Sequence, residues 1–177
     1  MMPPREDEEL LLPCRIFRVV RKTTTGADGR EHVRQIIRHP GAVVILPWRD
    51  DGHVILIRNY RSAVDRWVIE LPAGTLEPGE DPIAAAHREL AEETGYRARS
   101  MELLTSFFSS PGILDERMHL YLATGLEAGK TDLQDDEQIE PLVLPWEDAL
   151  AMARDGRIED AKTLIGLLYG DLFRRPA

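Results

Sequence analysis

Residues 74–96 read GTLEPGEDPIAAAHRELAEETGY, a run that sets Glu80, Arg88, Glu89, Glu92 and Glu93 at spacings that folding alone would not select. Asp81 suits an N-cap, Pro82 the first helical position and Gly95 the exit, which predicts a helix over Pro82 to Thr94. Ile83, Ala86, Leu90 and Thr94 follow the spacing of one buried stripe, and Glu89, Glu92 and Glu93 are expected off it. At about 100° per residue, these three carboxylates fall within a wedge of roughly 100° on one side of the helix.

Like charges at this spacing repel, and the last turn of a helix carries negative dipole, so a cation is expected to compensate. Arg88 can reach Glu92 as an i, i+4 pair, but one guanidinium leaves the cluster negative. A hard divalent cation, Mg²⁺ or Mn²⁺, suits an all-oxygen site of this kind. The segment Leu71 to Gly79, read as a loop, can present backbone carbonyls to the same ion, and Glu80 marks the junction of loop and helix.

The run matches Gx5Ex7REUxEExGU through Gly74, Glu80, Arg88, Glu89, Leu90, Glu92, Glu93, Gly95 and Tyr96, and so resembles the signature of the Nudix hydrolases. The resemblance implies an α/β fold, a Nudix-type α/β/α sandwich with a mixed sheet. It implies metal-dependent hydrolysis of a nucleoside diphosphate linked to another group. Glu89, Glu92 and Glu93 then hold metal with the carbonyl of Ala73, Arg88 orients a glutamate, and Glu80 supports.

The rest of the chain is consistent with one enzyme domain of 177 residues. A net charge of −9 argues against broad nucleic-acid binding, so an anionic substrate would need local help from metal and arginine. A single cysteine, Cys14, allows no internal disulfide, no apolar run is long enough to span a membrane, and Met1 to Glu9 is acidic rather than signal-like. A cytoplasmic protein is expected. Arg15 to Lys22 and Glu31 to Arg38 read as a β-hairpin around Gly26 to Gly29, ahead of short strands at Ala42 to Pro47, Val54 to Asn59 and Trp67 to Glu70. Met101 to Phe108, His119 to Thr124 and Pro141 to Leu144 are strand-like. Trp146 to Asp155 and Ala161 to Arg174 carry helical spacing, closed by Gly156 and capped by Asp160.

Two flanking segments narrow the resemblance. NYR, residues 59–61, followed by ELPAG, residues 70–74, looks like the ADP-ribose pyrophosphatase branch, in which the equivalent of Arg61 contacts substrate. Arg58 and Arg66 are further guanidinium candidates for phosphate. SSPGILDE, residues 109–116, places Pro111 sixteen residues after Gly95, the branch's downstream marker, and makes Pro111 and Gly112 substrate-binding candidates. Looser similarity includes GRIEDAKT, residues 156–163. For ADP-ribose the products would be AMP and ribose 5-phosphate. The branch favours a base from the acidic loop Asp135, Asp136, Glu137 and Glu140, with Glu137 preferred because DEQI looks like the EDI segment there; Glu116 and Glu93 are the alternatives. It further implies a homodimer, with residues 1–40 as a dimerising extension and hairpin, residues 41–177 as the hydrolase domain, and Phe17 or Trp48 stacking on the base. Another nucleotide sugar such as GDP-mannose, a dNTP-cleansing role, or a non-catalytic nucleotide-sensing module are the competing readings.

Overall fold

The structure, a computed structural model, describes residues 5–133 and 138–173. Its organising strand is β4 (Ala42–Pro47), whose sequence AVVILP is buried at every position. A strand with no polar alternation must be covered on both faces, and β4 is. Val44 and Leu46 pack with Leu71, Leu120, Trp146 and Leu167, while Val43 and Ile45 on the opposite face pack with Ala85, Ala86 and Leu90. Helices therefore lie on both sides of the strand layers, as expected for the sandwich.

Two sheets build these layers. One has the order β7-β4-β9-β8, with β7 (Ala73–Thr75), β8 (Tyr96–Phe108) and β9 (Arg117–Ala128). It is mixed, because β4 runs parallel to β9 and antiparallel to β7. The other, antiparallel, has the order β10-β5-β6, from β5 (His53–Arg61), β6 (Arg66–Glu70) and β10 (Ile139–Pro145). The helices are α1 (Pro82–Thr94), α2 (Trp146–Arg154) and α3 (Ala161–Phe173).

α1 has the predicted bounds and caps. Asp81 accepts a hydrogen bond from the N–H of Ile83 at 3.2 Å, and Gly95, in the left-handed region at φ 76°, closes the helix through its N–H to Ala91 O. Ala86, Leu90 and Thr94 are buried as expected, and burying Leu90 contributes about 2 kcal/mol. Ile83 corrects the stripe: it is 40% exposed, and the fully buried Ala85 packs in the first turn instead. Glu89 and Glu93, expected off the stripe, are buried as well. Ala73–Thr75, read as loop, forms the short strand β7 against that flank, and this strand covers both carboxylates.

The N-terminal hairpin is a three-stranded sheet. β2 (Arg18–Thr25) and β3 (Glu31–Arg38) pair around Gly26 to Gly29, and β1 (Glu8–Pro13) adds to the free edge of β2. Arg15 lies in the Cys14–Phe17 turn rather than in a strand. β1, EELLLP, shows no alternation and buries no face, so it leaves no strand signal in the sequence; its pairing comes from the exposed edge of β2. Arg38 donates to Glu8 within this sheet and joins the sheet to the segment before β9 by donating to Asp115 (2.9 Å), which also accepts from the N–H of His39 at 2.8 Å.

Candidate active site

The site forms where α1 passes β7. Gly74 faces the Glu89 carboxylate so closely that a Cβ at this position would overlap it. Glycine is thus required by packing against a carboxylate, not by a left-handed backbone, since Gly74 has no positive φ. One residue earlier, the N–H of Ala73 donates to Glu93 at 2.9 Å. Ala73 pairs with Val44 at a position where an antiparallel ladder turns N–H and C=O outward, so its carbonyl faces the same edge as the N–H that meets Glu93.

Arg88 gathers the remaining carboxylates. It donates through Nε and Nη2 to both oxygens of Glu80, at 2.9 and 3.0 Å, and through Nη1 to Glu89 at 2.7 Å and Glu92 at 3.1 Å. The Glu80 hydrogen bond first, and then the charge of Glu89, raise the Arg88 pKa well above its ordinary value. The same guanidinium holds Glu80 below the usual carboxylate range. Glu80 also accepts from the N–H of Glu77 at 2.9 Å, so it anchors both the turn before α1 and Arg88. Three carboxylates surround one guanidinium, leaving a local excess of negative charge with Glu93 beside it.

Among the described residues no three His, Cys, Asp or Glu side chains converge closely enough to chelate one ion in this geometry. The donor set still fits a hard divalent cation. It consists of carboxylate and carbonyl oxygens, two of the carboxylates are buried, and Arg88 alone does not balance them. Glu89, Glu92, Glu93 and the Ala73 carbonyl are the residues that could hold it.

Arg61 donates from Nε and Nη2 to Glu70, at 2.7 and 2.6 Å. The Glu70 hydrogen bond chiefly raises its pKa, and the charges of Glu70, Glu93 and Asp160 add to the effect, so Arg61 lies within the field of Glu93 on α1. Arg58 and Arg66 are engaged elsewhere, with Glu140 and Glu159, each at 2.8 Å. Pro111 and Gly112 line a separate pocket of about 380 Å³ with Arg34, Ile36, Arg38 and Phe108. Trp48 is core, tilted against Trp146 at 4.5 Å, and is not placed to stack on a base; Phe17 is partly exposed. Glu116 is hydrogen-bonded by Ser109 and lies 3.5 Å from His39. Asp135, Asp136 and Glu137 lie outside the described residues.

Sequence reasoning missed Glu70 and Lys162, both buried, and the hydrogen bond that joins them. Their signal was present as the E of ELPAG and the K of EDAKT, but 92 residues separate the two.

A family model described as the NUDIX domain matches residues 37–165. This chain belongs to the Nudix family. Among Nudix relatives it is 40% identical over 144 residues to the ADP-ribose pyrophosphatase of Bacillus subtilis, covering 80% of this chain and 78% of that protein. It is 41% identical, with the same coverage, to a methanol dehydrogenase activator of Bacillus methanolicus. It is 38% identical to a GDP-mannose pyrophosphatase of Klebsiella pneumoniae, covering 82% and 79%. The crystal structure of an ADP compounds hydrolase superposes with a TM-score of 0.81 at 23% identity, over 97% of this chain and 93% of the other, and shows the same Nudix fold. The Nudix signature is intact in this chain, which is therefore a Nudix hydrolase. None of its described helices is long and apolar enough to cross a membrane.

Proposed function

We propose that the enzyme hydrolyses the diphosphate of ADP-ribose to AMP and ribose 5-phosphate, using Mg²⁺ or Mn²⁺. The carrying observation is the pair of buried carboxylates, Glu89 and Glu93, seated against Ala73 and Gly74 with Arg61 close enough to feel the Glu93 charge. Similarity to ADP-ribose pyrophosphatases over most of the chain supports the substrate.

Glu89, Glu92, Glu93 and the Ala73 carbonyl hold the cation in this reading. Bound there, it supplies charge neutralisation at the diphosphate and a more acidic water. Arg88 fixes the rotamers of Glu89 and Glu92, and Glu80 fixes Arg88, so the donors are oriented before substrate arrives. Arg61 binds a non-bridging oxygen of the diphosphate, while Pro111 and Gly112 contact the substrate from their loop. Glu137 accepts the proton of the attacking water. The chain works as a homodimer through residues 1–40, a role supported by the exposed Leu10, Leu12, Phe17 and Val33 of the N-terminal segment.

GDP-mannose is the second reading, favoured by relatives that carry that activity in their names. The test is release of nucleoside monophosphate from ADP-ribose, GDP-mannose, ADP-glucose, NADH and dATP with Mg²⁺, against a chelator control. Highest kcat/KM on ADP-ribose is expected. A higher value on another compound would remove the ADP-ribose assignment.

A further inference from the structure

Glu70, the last residue of β6, is 1% exposed, and a carboxylate buried to this degree must be fully partnered. Arg61 engages both of its oxygens, and Lys162 Nζ donates to Oε2. Lys162 is itself buried, at the second position of α3, and donates also to Asp160 at 3.0 Å. Asp160 caps α3 by accepting from the N–H of Thr163 at 2.9 Å and from its hydroxyl at 2.6 Å. The Thr163 hydroxyl oxygen accepts in turn from the N–H of Leu71 at 2.7 Å. The start of α3 is thus clasped to Glu70 and Leu71, and two residues further on the same backbone reaches Glu93 through the N–H of Ala73.

We propose that Lys162 is a positioning residue of the active site, acting through Glu70 to hold Arg61 in place and leave its charge available to the substrate diphosphate. The proposal rests on the reading of Arg61 as a substrate ligand. The two cations on Glu70 differ in access: the Arg61 side chain is 43% exposed and that of Lys162 10%. Only Arg61 can meet a substrate. Without Lys162, the Glu70 charge would fall on Arg61 alone and weaken its pull on a second anion. With Lys162 sharing Oε2, Glu70 keeps the guanidinium plane fixed while Nη1 is left out of the carboxylate pairing. Asp160 does not cancel this benefit, because its carboxylate also serves the positive N-terminus of α3.

The test is a double-mutant cycle on Lys162→Met and Arg61→Met, with steady-state kinetics on the preferred substrate of the panel and thermal melts of each variant. The expected result is a KM raised about five- to tenfold in Lys162→Met with kcat changed less than about threefold, and an additional effect below about twofold in the Arg61→Met background. Lys162→Arg, which keeps the charge, should restore most of the KM. Equal losses in both backgrounds that follow the melting temperature would mean a purely structural lysine and overturn the proposal. A raised KM in Arg61→Met beside a normal KM in Lys162→Met would overturn the relay alone. A normal KM in Arg61→Met would overturn the reading of Arg61 and the relay with it. Should Lys162→Met not fold, Lys162→Gln, which keeps a donor without charge, is judged by the same criteria.

Discussion

A Gly74→Ala substitution adds one methyl group where the Glu89 carboxylate now lies, and the two cannot share that space. Because Gly74 has no positive φ, alanine can keep the backbone, and by restricting the unfolded chain it contributes about 0.4–1 kcal/mol of stability. The obstructed atoms belong to the end of a side chain, so Glu89 yields rather than β7. Swinging away, it gives up its 2.7 Å bond from Arg88 Nη1, a charge-assisted contact that contributes about 1.5–3 kcal/mol. The balance is a loss of about 1–2 kcal/mol. For a chain of 177 residues this lowers Tm by about 2–8 °C, and the protein stays folded at 25 °C. In the proposed function Glu89 holds the metal, and moving such a ligand by about 1 Å costs about 100-fold in rate, so the chemistry suffers far more. Nucleoside monophosphate release from ADP-ribose across a Mg²⁺ titration, beside a melt of the same preparation, reads both effects. Activity within threefold of the wild type at limiting and saturating Mg²⁺ would refute the argument that Gly74 exists to seat Glu89.

Three further outcomes are expected. Glu93→Gln should lower kcat by at least about 100-fold with a small change in Tm, because the amide oxygen can still accept from Ala73 N–H while the charge is gone; near-normal turnover with intact Mg²⁺ dependence would remove Glu93 from the metal site. For acid stability, burial pushes the Glu70 pKa up but Arg61 and Lys162 outweigh it, and the Arg88 hydrogen bond lowers Glu80, so both lie below the ordinary value of 4.5 in the fold. Their stabilisation is complete above that value and is lost as pH falls through their folded values, so urea midpoints should be flat above about pH 5 and drop below it, less steeply in Glu70→Gln. Light scattering at micromolar concentration should give twice the chain mass, and a monomeric peak would end the dimer reading.

The helix α1 was legible residue by residue because its signals are local: Asp81, Pro82 and Gly95 act within one turn of the ends they mark. The turn between β2 and β3 and the core strands β4, β5 and β6 were readable for the same reason. β1 was not, since an edge strand that buries no face leaves no alternation to read, and β7 was hidden because three residues carry no periodicity. The burial of Glu89 and Glu93 ran against the residue types themselves. Carboxylates read as solvent-facing until a glycine strand is laid over them.

By itself the sequence determined the family, because the signature carboxylates of α1 and the arginine that pairs with two of them lie within a single helix and its entry segment. The tertiary structure alone decided what surrounds them. Lys162 and Thr163 of α3 reach Glu70 and Leu71 across 92 residues, Trp48 turns inward onto Trp146, and Arg58 and Arg66 pair with Glu140 and Glu159. Such contacts depend on how strands and helices stack, and the stacking follows from burying both faces of β4 together rather than from any one segment.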